Sequence, residues 1–188
     1  MRAAVIASLI SLVSLSAAHA QPPSGTLPKQ PGAPQTVQGA TDENFVVNTW
    51  LDGMAEVELG NLTQQRASND QVKQFGQRMI ADHTKANEEL KPIAARLNVT
   101  LPTQLDGVHA ALKRTLQGLK GFEFDRRYMD EMVKNHRVAV SSFEQQAKTG
   151  NDGALKAFAQ KTLPTLREHL KMAEDTLKAV EATATKKQ

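Results

Sequence analysis

FDRRYMDEMVKNHRVAVSSFEQQAKTG, residues 124–150, carries its apolar side chains three or four positions apart. From Asp125 the steps fall on Met129, Met132, His136, Ala139 with Val140, Phe143 and Ala147, a stripe of helical period with one imidazole at its centre. A helix that turns a histidine toward the surface it buries must supply a partner for the ring. This stretch therefore sets the fold class, all-α, and singles out His136.

The same period runs outward on both sides. A first helix, α1, is predicted over 42–67, starting at Thr41 or Asp42, with Val47, Leu51, Met54 and Leu62 on its inner face. Ser68 followed three residues later by Gln71 reads as a capping box that opens α2. Helix α2, over 69–97, repeats through Val72, Gly76, Met79, His83, Ala86, Leu90, Ile93 and Leu97. Pro92 removes one of its backbone donors and predicts a kink near Glu88, and Asn98 suits a left-handed cap. A short helix α3 is expected over 104–118, ended by Gly118 and Gly121, and α4 over 122–148, closed by Gly150. Helix α5, over 152–182, aligns Leu155, Ala159, Thr162, Leu166, His169, Ala173 and Leu177, with Pro164 as a second kink. No segment shows the alternation of a strand.

Connection lengths predict the topology. Only a few residues join α1 to α2 and α4 to α5, so each pair should be an antiparallel hairpin. Residues 98–121 are far more than a hairpin needs, and at ~1.5 Å per residue their short helix returns the chain along much of the bundle. The expected architecture is a ferritin-like four-helix bundle, up-down-down-up, with one long crossover between α2 and α4.

The ends of the chain read differently. Arg2, the serine-broken apolar run Ala3 to Leu15, and Ala18-His19-Ala20 form a signal peptide, residues 1–20, cleaved after Ala20, which places the protein in the periplasm or otherwise outside the cytoplasm. Residues 21–41 hold Pro22, Pro23, Pro28, Pro31 and Pro34, five of the eight prolines, and read as a flexible leader. The bundle domain then covers 42–183, with 184–188 as a frayed tail. A net charge of +3, with 23 basic and 20 acidic residues, is too balanced for a nucleic-acid partner, and six Phe, one Trp and one Tyr offer no stacking platform. Nothing after residue 20 is apolar for long enough to span a membrane. With no cysteine, there is neither a disulfide nor a thiolate site. Composition identifies no protein partner and sets no oligomeric state.

Three histidines share a depth. His83, His136 and His169 each lie near the middle of a long helix, so they fall at one level of a bundle whichever way the helices run. On the predicted inner stripe of α1, Glu58 lies at the same depth. Imidazole and carboxylate together suit one transition metal ion such as zinc, copper or iron. Met79 and Met132 each precede a histidine by four, and Met172 follows His169 by three, as soft ligands or as core filling. A second reading satisfies the same groups through mutual hydrogen bonds, in a non-metal interaction or stress-protection module with a structural polar core. A third is a mononuclear metal enzyme, against which no general base stands out. Di-iron bundles place a carboxylate three residues before the histidine, and here those positions are Ile80, Val133 and Leu166, which argues against oxygen chemistry. Asp125 is read as a helix-dipole residue, Asp82 and Glu144 as solvated, and His109 as a boundary residue of the crossover.

Residues 45–91, FVVNTWLDGMAEVELGNLTQQRASNDQVKQFGQRMIADHTKANEELK, together with FDRRYMDEMVKNH at 124–136 and KAFAQKTLPTLREHLKMAEDTL at 156–177, resemble a family of exported bacterial proteins. That family is catalogued as domain of unknown function 4142. The resemblance spans about residues 42–180 and implies a ferritin-like fold and an exported location, with no activity attached. The positions it carries over are Glu56, Glu58, His83, His136 and His169; Pro92 departs from the pattern.

Overall fold

In the computed structural model, which describes residues 42–185, five helices follow one another and no strand occurs among the described residues. They are α1 Asp42–Arg66, α2 Asp70–Arg96, α3 Gly107–Gln117, α4 Gly121–Thr149 and α5 Gly153–Thr185. The predicted signal peptide and leader, residues 1–41, and residues 186–188 lie outside the described residues.

The predicted boundaries shift by a few residues, each for a local reason. Asn69, not Ser68, caps α2: its Oδ1 accepts from the Gln71 N–H at 2.8 Å, while the Ser68 hydroxyl turns to Asp125 at 2.6 Å. The crossover helix begins late because Asp106 caps it, accepting from the His109 N–H at 2.9 Å. Asn98 takes the left-handed conformation, φ 55°, expected of a helix stop. Pro92 and Pro164 lie within α2 and α5, and both helices continue beyond them. The last of these helices runs to Thr185, so Ala184 and Thr185 belong to it rather than to a tail.

Helix α1 packs along α2, and α4 along α5. The α1–α2 contact corrects the predicted inner face. Between Phe45 and Thr63 the buried face of α1 includes Gly53, Glu56, Gly60 and Thr63, with Leu51, Ala55 and Leu59 beside them, whereas Val47, Met54 and Glu58 are only half-buried. Small residues decide this. A Cβ built on Gly60 would sit 2.7 Å from the Gly76 carbonyl oxygen, and one on Gly76 would sit 2.1 Å from Thr63 Oγ1. The two backbones come too close for larger side chains, and this close face turns the predicted stripe of α1 toward the boundary.

Two apolar clusters fill the interior. One joins Leu59, Phe75, Met79, Phe124, Met129 and Met132 with Ala173 and Val180; the other joins Phe45, Leu90, Phe143, Leu155, Phe158 and Leu166. Each fully buried large side chain contributes about 1.5–3 kcal/mol. On α2, α4 and α5 alike, the histidine lies in sequence between the residues of the first cluster and those of the second.

Polar ties fix the ends. Asp42, at the start of α1, accepts from the Asp152 N–H at 2.6 Å and the Asn151 N–H at 3.2 Å, between α4 and α5. Asp125, one turn into α4, is buried and accepts from the backbone of Ser68 and Asn69 at 3.0–3.2 Å. It is therefore an anchor for the α1–α2 connection rather than a dipole residue. The crossover is pinned to α1 at three points. Trp50 Nε1 donates to the Pro102 carbonyl at 2.8 Å, Lys113 reaches Glu58 at 2.7 Å, and His109 bridges Asp52 at 3.1 Å and Asp106 at 2.8 Å. No described helix is long and apolar enough to cross a membrane.

Candidate metal centre

Each of α2, α4 and α5 places one imidazole at the boundary between the two apolar clusters. The ring centroids of His83, His136 and His169 are 5.3–5.9 Å apart. One ring nitrogen from each can be chosen so that all three lie within 4.8 Å of one another. His136 and His169 are buried, and His83 is half-buried with its Nε2 enclosed.

Second partners fix two of the tautomers. His136 Nδ1 lies 2.9 Å from the Met132 carbonyl oxygen, which can only accept, so Nδ1 carries the proton and Nε2 the lone pair. His169 Nε2 lies 2.8 Å from Asp82 Oδ2, an ionised carboxylate, which leaves the lone pair on Nδ1. The freed atoms, His136 Nε2 and His169 Nδ1, are buried without a hydrogen-bond partner, and so is His83 Nε2. At least two of these nitrogens are acceptors, and within the cluster only the N–H of His83 remains to serve them. Donating the far N–H to a carbonyl or carboxylate is also the arrangement that orients metal-bound histidines.

Electrostatics keep the rings neutral. Burial and the two neighbouring imidazoles push His83 down to about 3. Burial and His169 push His136 down to about 4, and burial also lowers His169 against the pull of Asp82. Burial works to raise the Asp82 carboxyl, but hydrogen bonds from Arg78 and His169 outweigh it and hold the group below its ordinary range. Arg78 is further held by Glu168 at 3.5 Å. The cluster is a set of unprotonated nitrogen donors, the form a metal ion requires.

The other candidates fall elsewhere. Glu58 does not join the histidines: half-exposed, it pairs with Lys113 of the crossover, because the close α1–α2 contact turns Glu56 inward in its place. Glu56 is buried, with Oε2 unpartnered, and burial raises its carboxyl to about 8 despite Asn135 and His109. Its other neighbours are Asp52 and Tyr128 rather than the triad. Met79 and Met132 are fully buried in the first apolar cluster. Glu144 is exposed and paired with Arg167, as expected of a surface residue. His109 is a boundary residue, drawn up to about 9 chiefly by its hydrogen bond with Asp52. Asp82 is the residue that sequence reasoning missed. From α2 alone it points away from the seam, and only Arg78 one turn earlier hints that it is held in place.

Fold and site together define an all-helical domain with a buried three-histidine cluster able to hold a metal ion. The chain belongs to the family described as domain of unknown function DUF4142, whose model matches residues 26–176. Its fold is similar to that of a DUF305 fragment from Deinococcus radiodurans, at 15% identity and a TM-score of 0.64, covering 76% of this chain and 99% of that one. A DUF305 protein from Streptomyces coelicolor is similar at 13% identity and a TM-score of 0.64, covering 75% and 93%. No curated protein matches the chain.

Proposed function

We propose that this is an exported, non-enzymatic helical-bundle protein that binds one transition metal ion through His83, His136 and His169. The observation that carries the reading is that three histidines on different helices offer one ring nitrogen each within 4.8 Å of one another, while each ring also has a buried nitrogen without a hydrogen-bond partner. Neutral imidazoles suit zinc, copper or iron. Nitrogens each ~2.0–2.1 Å from a tetrahedral zinc lie roughly 3.3–3.4 Å from one another, so nitrogens that now lie within 4.8 Å of one another draw together on binding. Export rests on the signal-like residues 1–20. The absence of catalysis is supported by Asp82, the carboxylate at the triad, being engaged by His169 and Arg78 rather than free to move protons.

The same reading includes a ferritin-like, up-down-down-up path. Asp42 brings the start of α1 to the α4–α5 connection, and Asp125 brings the α1–α2 connection to the start of α4. Those two ties support α2 and α4 running the same way, with residues 97–106 and α3 as the return.

Protein purified without chelator or affinity tag should carry close to one equivalent of metal by elemental analysis. Adding zinc or copper to the stripped protein should raise its melting temperature, and His136→Ala should abolish that rise. If His136→Ala lowers stability by about 1–3 kcal/mol while added metal shifts neither protein, the cluster is a structural polar core instead.

A further inference from the structure

His83, half-buried, lines a cleft of about 40 Å³ between α1, α2, α4 and α5. His83 and His169 form part of its wall, and His136 does not. Its apolar lining, Ala86, Phe143 and Leu166, belongs to the second cluster, so Met79 and Met132 are absent from it. Thr49, Asn87, Thr162 and Thr165 add hydroxyl and amide groups. Gly53 leaves space for the Asn87 side chain, which would lie 2.3 Å from a Cβ at that position. Room for a water takes roughly 10–15 Å³, so this cleft admits water or a donor of a few atoms.

We infer that an ion held by the three histidines keeps an open coordination position toward this cleft, filled by water or by one small exogenous donor. The inference rests on the metal reading and adds to it. A structural site closes with four protein ligands, whereas three ligands beside a solvent-connected space leave a position free. Among the described histidines and carboxylates only these three converge. Asp82 is occupied, and both Glu56 and Glu58 point to other partners.

The test uses the full-length chain loaded with Co²⁺, whose visible bands report coordination, titrated with sodium azide. The wild-type bands should change and saturate. Ala86→Leu, which fills the cleft from α2, should retain the cobalt bands while weakening the azide response about tenfold or more. Thr165→Leu fills the cleft from α5 and gives the same comparison if the first variant does not fold. Cobalt bands unaffected by azide in the wild type overturn the open position. An azide response undiminished in both filled variants overturns the cleft as its route. Absence of cobalt bands, with no metal by elemental analysis and no rise in melting temperature on adding zinc or copper, removes the metal reading itself, and this inference with it.

Discussion

Asp125 shows how much one carboxylate can organise. Buried one turn into α4, it takes hydrogen bonds from two backbone amides and one hydroxyl of residues 68 and 69, in the α1–α2 connection. Its replacement by alanine strands those donors, and hydrogen bonds to a charged group are each worth about 1.5–3 kcal/mol. Asp125→Ala should therefore lower the urea unfolding free energy by at least 1.5 kcal/mol or so with an unchanged m-value; a loss under about 0.5 kcal/mol would contradict its role as an anchor. The residue also marks a limit of legibility. Periodicity made His83, His136 and His169 visible, because each stands on its own helix's stripe. Asp125 and Asp82 act across helices, and nothing in their own segments says which neighbour arrives. Glu58 and Glu56 differ for the same reason: only the rotation of α1 decides which of the two is buried.

That rotation is a property of an element pair. The predicted stripe of α1 followed large apolar residues, but the face that meets α2 is built on Gly53, Gly60 and Thr63, which carry no hydrophobic signal. Helices α2, α4 and α5 were legible because their buried faces are made of large side chains. Gly60→Ala separates the two effects. Alanine is the better helix former by about 1 kcal/mol, yet its Cβ would meet backbone that cannot swing aside. The variant should lose about 1–3 kcal/mol through overpacking. Gly153→Ala, where nothing lies within 4 Å of the new Cβ, should be neutral or slightly stabilising. Thermal melts of the two variants give the comparison, and a stabilised Gly60→Ala would refute the close crossing.

At the scale of the molecule, buried ionisable groups on either side of neutrality predict a maximum of stability in the metal-free protein. His83 and His136, held near 3 and 4 in the folded state, titrate near 6.5 when unfolded, and His169 is lowered as well. As pH falls below about 6.5 the unfolded chain takes up protons that the folded one refuses, so stability declines. On the other side, hydrogen bonding to Asp52 raises His109 from 6.5 to about 9, and burial raises Glu56 from 4.5 to about 8. Between about 6.5 and 8 the folded state holds both of these protons more tightly than the unfolded chain does, and stability falls as pH rises, His109 continuing the decline to about 9. Below 6.5 Glu56 still opposes the histidines, but one group is set against three. Melting temperature should therefore peak near pH 6.5 and fall in both directions. Glu56→Gln keeps an uncharged hydrogen-bonding side chain for Asn135 and should flatten the decline between about 6.5 and 8 while steepening the acid limb, where Glu56 no longer offsets the triad. Melting temperatures that climb steadily from pH 5 to 9 would mean that Glu56 and His109 do not hold their protons as this packing requires. Bound metal should reshape only the acid limb, since protons and the ion compete for the same three nitrogens while Glu56 and His109 lie outside that group.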